Sequence, residues 1–184
     1  MAVTSVLWRR LDTPGHDACR LVRHEAGWQL DGTAAFLREG VPARLAYELM
    51  CDSSWRTQYG QVRGWIGSQS VELSVARTAA GHWSLNGESV GGLASCVDLD
   101  LGFTPATNLL PVRRLALAEG QAAEVPAAWL DVAGGTLDVL LQRYERRSEE
   151  SYWYEAPRFE YADLLDVAPT GFVRRYPGLW TAEL

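Results

Sequence analysis

The feature that most constrains the fold is an alternation of apolar and polar residues with period two, cut at short intervals by turn residues. In the run 43–51, Leu45, Tyr47, Leu49 and Cys51 fall on one side and Arg44 and Glu48 on the other. That pattern belongs to a half-buried strand, not to a helix. Comparable runs predict strands over 6–11, 18–25, 27–30, 55–59, 61–66, 70–77, 94–101, 159–167 and 172–176. Asp31-Gly32 and Asn86-Gly87 are predicted hairpin turns, because both central positions tolerate positive φ. After Gly134-Gly135 a long hairpin is expected over 136–143 and 151–155, with the mixed-charge run 145–150 at its solvated tip. The segment 103–111, where Thr, Pro and Asn break any period, is expected to be an ordered loop leading to a strand at Val112. The residues 124–132 are the expected helix, with Pro126 tolerated in its first turn.

About ten short strands with little helix predict a mainly β protein. We expect one domain over residues 1–184, built on a curved antiparallel sheet, a half-barrel or open barrel, with one or two short helices. The concave face of such a sheet is a natural container for an apolar ligand. At 184 residues, 47% hydrophobic and 22% charged, the chain can bury an ordinary core without disulfides or metals.

Composition also narrows the partners. A net charge of −6 lacks the basic patch that nucleic-acid phosphates demand. No run approaches the ~20 apolar residues of a transmembrane helix, so no integral membrane segment is expected. The first ten residues carry no basic stretch followed by a long apolar run, so a cytoplasmic protein is expected. Cys19, Cys51 and Cys96 are odd in number and widely spaced, which argues against a disulfide framework or zinc site and for buried thiols. All seventeen basic residues are arginine, through codon bias or, at some positions, to grip an anion bidentately.

Several constellations could carry chemistry. Gly87-Glu88-Ser89-Val90-Gly91 matches G-x-S-x-G, but a nucleophile elbow needs a strand-to-helix turn and Asn86-Gly87 predicts a hairpin. His16, His24 and His82 lie in separate segments without metal-ligand spacing. Asp98 and Asp100 share one face of a predicted strand, ~6.6 Å apart by the strand rise. At that distance two carboxylates repel by about 2.5 kcal/mol at a dielectric near 20, enough to raise one pKa unless a cation such as Arg113 or Arg114 intervenes. Two readings compete: a sugar-binding or hydrolytic carboxylate pair, or carboxylates and arginines that pin the 103–111 segment to the sheet. The eight tryptophans and seven tyrosines outnumber four phenylalanines, and such amphipathic rings suit a boundary between apolar and wet surroundings.

The run 98–115, from Asp98 through Asn108 to Arg113-Arg114-Leu115, resembles the signature of the bacterial glycolipid-binding family, formerly a domain of unknown function. The blocks 42–47, with Arg44 and Tyr47, and 51–55, ending in Trp55, are similar to its other blocks in order and spacing. So are Gln142-Arg143-Tyr144 and Tyr176-Pro177-Gly178-Leu179-Trp180. The resemblance spans nearly the whole chain. It implies a curved sheet similar to periplasmic lipoprotein carriers and a glycolipid or lipid-like ligand held without catalysis, with no cofactor and no metal. The ligand-binding residues expected on that basis are Arg44, Tyr47, Trp55, Trp65, Asp98, Asp100, Asn108, Arg113, Arg114 and Tyr144. Trp55 and Trp65 would lie beside the acyl chain, and Asp98, Asp100, Asn108, Arg113 and Arg114 would form a polar rim. A glycoside-hydrolase type of enzyme using Asp98 and Asp100, a protein-interaction module and a homodimer stay open as alternatives.

Overall fold

The computed structural model describes residues 3–183. Its strands, in chain order, are β1 (Val3–Arg10), β2 (Gly15–His24), β3 (Gly27–Arg38), β4 (Val41–Asp52), β5 (Thr57–Ile66), β6 (Gln69–Arg77), β7 (Trp83–Leu85), β8 (Glu88–Val90) and β9 (Asp98–Asp100). A 3₁₀ turn (Pro105–Asn108) and a helix α1 (Leu109–Leu115) follow. Then come β10 (Ala122–Glu124), β11 (Ala127–Asp131), β12 (Thr136–Leu140), β13 (Arg143–Ser148), β14 (Ser151–Ala156), β15 (Tyr161–Val167), β16 (Val173–Tyr176) and β17 (Trp180–Glu183).

Fourteen strands form one sheet in the order β10-β13-β14-β15-β16-β17-β1-β2-β3-β4-β5-β6-β7-β8, and β12-β11-β9 form a second. Every pairing in the large sheet is antiparallel, whereas β9 runs parallel to β11. The large sheet is open, with β10 and β8 as its edges, and it is not strongly curled. The expected half-barrel or open barrel is therefore corrected. A sheet must hide its apolar face, and a second layer does so as well as closure does. Leu45, Leu49 and Val62 of the large sheet share one core with Leu99, Leu101, Leu109, Leu130 and Leu137 of the covering segments. Side chains thus fill the space that a container would leave empty.

The alternation across β4 is realised as read: Leu45, Tyr47, Leu49 and Cys51 are all buried. The in-register row Leu30, Leu49 and Gly60 crosses β3, β4 and β5. At Gly60 the missing side chain makes room for Leu99 Cδ2 from β9, and the Leu99 N–H donates to Thr57 Oγ1 at 3.0 Å. A second core, with Val112, Val125, Tyr144, Tyr154, Leu165 and Val173, lies under β13–β16. The helix α1 joins the two, with Leu109 and Leu110 in the first and Val112 in the second.

Other local expectations also change. Asp31-Gly32 is no turn, since β3 runs straight through it. Gly32 is required there because a Cβ would meet the Tyr47 ring. The predicted strands 55–59 and 61–66 are one strand, β5, and the predicted strand 94–101 shrinks to β9. The segment 103–111 and the strand expected at Val112 are replaced by the 3₁₀ turn and α1. Residues 124–132 form no helix; Ala127 and Ala128 are buried in β11, between β9 and β12. The expected hairpin over 136–143 and 151–155 is divided, because β12 belongs to the second sheet and β14 pairs with β13. Asn86-Gly87 is a turn, with φ of 50° and 85°, and Ser89 sits exposed in the short strand that follows. Among the described residues no helix is long and apolar enough to cross a membrane.

Candidate functional site

The segment between β9 and α1 is built by its own side chains. Asp100 Oδ1 accepts the Gly102 N–H at 2.7 Å, closing a turn that needs positive φ at Gly102 (66°). Thr104 then caps the 3₁₀ turn, its Oγ1 accepting the Ala106 N–H at 3.0 Å, and Pro105 occupies the first position, where no donor is needed. This delivers Asn108 to the second core, where its Nδ2 donates to the Tyr144 hydroxyl at 2.7 Å. From the other side Gln142 Nε2 donates to Asp100 Oδ2 at 2.6 Å and to the Tyr154 hydroxyl at 3.0 Å.

Above this polar floor lies a cleft of about 270 Å³, lined by Asp100, Thr104, Asn108, Tyr154, Tyr161 and Tyr176, with Leu140, Phe159, Leu179 and Trp180 as its apolar wall. The tyrosines form one aromatic cluster. Ring centroids lie 4.8 Å apart for Tyr144 and Tyr154, 5.7 Å for Tyr154 and Tyr176, and 5.0 Å for Tyr161 and Tyr176. Burial pushes the phenols of Tyr144, Tyr154 and Tyr176 well above their ordinary pKa, so they stay neutral donors and acceptors. Burial also raises the Asp100 carboxyl, against the opposing pull of the Gly102 N–H and Gln142. Asp100 is not fully buried, and it lines the cleft.

The residues anticipated from sequence separate into distinct places. Asp98, 1% exposed, is gripped by Arg114, with Nε to Oδ1 at 3.0 Å and Nη2 to Oδ2 at 2.6 Å. Burial raises its carboxyl and Arg114 pulls it back. Arg113 instead donates from Nε to the Thr170 carbonyl at 2.9 Å, and its guanidinium lies 5.8 Å over Trp55. Tyr47 donates to Asp17 Oδ2 at 2.9 Å, and the Thr104 hydroxyl donates to the same carboxylate. Arg44 and Trp65 are cross-strand partners on the outward face of β4 and β5 and line neither this cleft nor the Trp55 region. Of the ten, the structure places Asp100 and Asn108 at the cleft and Tyr144 beneath it.

Only one of the two carboxylates on β9 reaches the cleft, because Arg114 occupies the other. A glycoside hydrolase needs two flanking the bond. The described residues also hold no cluster of potential metal ligands. What the cleft offers is planar rings with neutral hydroxyls, amides and a single carboxylate. Sequence reasoning passed over Gln142, Tyr154, Tyr161, Tyr176 and Trp180 as ligand candidates. The alternation Tyr152-Trp153-Tyr154 already put two tyrosines on one face, and that signal could have found the cluster.

The sequence model of a family described as "Putative glycolipid-binding" matches residues 5–182. A crystal structure of a DUF1089 family protein from Pseudomonas aeruginosa superposes with a TM-score of 0.80 at 28% sequence identity, covering 91% of each chain. No curated protein matches the chain.

Proposed function

This chain belongs to the family described as "Putative glycolipid-binding", and from that premise we propose that it holds the sugar headgroup of a glycolipid in the tyrosine-lined cleft without altering it chemically. The observation that carries the reading is Asp100, a largely buried acid on the lining of a cleft of neutral phenols and aromatic walls. Sugar hydroxyls both donate and accept, and a carboxylate beside phenols and an amide meets both needs, while the flat ring faces take the sugar's C–H surface. At about 270 Å³ the space lies just below the usual range for small-molecule pockets, which suits one sugar ring. The acyl chain would leave over Phe159, which is 51% exposed at the wall of the cleft. A cytoplasmic setting belongs to the same reading, supported by three buried free thiols.

Calorimetric titration with alkyl glycosides below their micelle concentrations tests it. Saturable binding is expected, weakened about tenfold or more in Asp100→Asn, as befits a lost charge-assisted hydrogen bond. Absence of binding across several glycosides, or affinity indifferent to Asp100→Asn and Tyr154→Phe alike, would sink the reading. Recovery of a protein partner in its place would favour the interaction module.

A further inference from the structure

A second cleft, of about 310 Å³, is lined by Thr4, Leu21, Trp28, Trp55, Arg113 and Thr170 and shares no residue with the first. Its centre is a pair of stacked indoles, Trp28 and Trp55, with centroids 4.5 Å apart and planes inclined by 14°. Trp55 is held there at φ 65°, a left-handed backbone that bulky residues avoid. The turn around Asp52 enforces it: the Trp55 N–H donates to the Asp52 carbonyl at 3.0 Å, and Asp52 Oδ1 accepts from the Ser54 and Arg56 N–H groups at 2.8 and 2.9 Å. Strain of this kind persists only where surrounding structure over-determines it, and it clusters at functional sites.

Two guanidiniums flank the indoles, Arg23 at 5.4 Å from the Trp28 ring and Arg113 at 5.8 Å from Trp55. Among the described residues neither has a carboxylate within ion-pair distance, unlike Arg114 next door. Arg113 is clamped by backbone carbonyls instead, through Nε to Thr170 and Nη2 to Pro169 at 3.0 Å and Thr170 at 2.5 Å. Gly171 packs against its side chain so closely that a Cβ there would lie 2.8 Å from Nε. Its Nη1 has no partner among the described residues. A fixed cation with an open donor, beside apolar indole edges and Leu21, is complementary to a molecule that is anionic at one end and apolar along its body.

We propose that this cleft is a second binding site, for an amphipathic oxyanion whose phosphate or carboxylate meets the Arg113 guanidinium and whose hydrocarbon packs on Trp28, Trp55 and Leu21. The site goes beyond the sugar cleft and does not depend on it.

The test is a titration of the full chain with hexyl phosphate, hexanoate, inorganic phosphate and hexanol. The readout is the indole N–H resonances of Trp28 and Trp55, identified by Trp→Phe substitution. Hexyl phosphate or hexanoate should shift both resonances saturably, and whichever binds more tightly names the oxyanion. Inorganic phosphate and hexanol, each lacking one half of the ligand, should bind about tenfold more weakly or worse. Arg113→Gln should lose the preference for the charged probes over hexanol, and Trp55→Gly, which suits the positive φ, should lose binding of all probes. Asp100→Asn should leave this titration unchanged, which separates failure here from failure of the sugar cleft. Equal affinity of the wild-type chain for hexyl phosphate, hexanoate and hexanol overturns the proposal, a comparison that holds even if Arg113→Gln does not fold. So does binding that survives Trp55→Gly.

Discussion

Arg114 and Asp98 form an asymmetric pair, and the asymmetry has a measurable consequence. The Asp98 side chain is 2% exposed and that of Arg114 20%. Removing the arginine strands a charge without water, whereas removing the acid leaves a cation that can reach solvent. Arg114→Ala should therefore cost about 3 kcal/mol, the scale of a broken buried pair, and Asp98→Asn distinctly less, read as urea midpoints at pH 8. At pH 5 the penalty of Arg114→Ala should shrink, because the stranded carboxyl, its pKa raised further, takes up a proton. The anchoring role of this pair was legible in the sequence: two acids alternating on a strand and two arginines a loop away called for a cation. Which arginine would answer was not, since Arg113 and Arg114 point in different directions only because helix α1 turns between them. Asp100, grouped with Asp98 by spacing, separates from it because Gln142, distant in sequence, arrives to accept the role of partner.

The helix α1 is the element that sequence reasoning missed. Leu109-Leu110-Pro111-Val112 reads as a broken stretch if proline is taken as a breaker, yet Pro111 falls in the first turn, where its absent N–H would have had no intrahelical partner. The helix ends on Ala116 in a left-handed conformation, φ 44° and ψ 45°, a position normally given to glycine. Ala116→Gly should accordingly stabilise the chain by about 0.5–1 kcal/mol, the relief of the left-handed penalty less the entropy glycine adds to the unfolded chain. The melting temperature should rise by a few degrees. Strands were the more legible elements, since alternation survives wherever one face is buried, as in β4. The failures share a cause in tertiary packing. Gly32 and Gly60 resemble punctuation in sequence but are gaps cut for Tyr47 and Leu99. Ala127-Ala128 has helix propensity, overridden because β11 lies between two other strands.

Across the whole molecule the two layers are tied by a buried acid. Asp17 on β2, 0% exposed, accepts from Tyr47 on β4 and from Thr104 in the covering segment. Burial lifts its pKa to about 6 against the opposing pull of those two hydroxyls. In the unfolded chain the value returns to about 3.9, so the folded state binds more protons between these limits. Its contribution is greatest below pH 4, declines as pH rises towards 6 and is flat above, a loss of about 3 kcal/mol. Asp98 and Asp100, also raised, slope the same way. Asp17→Asn should flatten part of the fall in urea midpoint between pH 4 and 7 and leave the variant more stable than the wild type at pH 7. Such a network, assembled from residues 17, 47 and 104, has no local signature in the sequence. The sheet's openness likewise depends on which segment covers it, and alternation cannot say so. An open sheet of this length has a further consequence at its two edges, where β10 and β8 are three residues each. A neighbouring molecule arriving at β10 or β8 finds few unpaired amides to template against, so growth from copy to copy would have to start on the stretch of β6 that β7, paired only with residues 75–77, leaves uncovered.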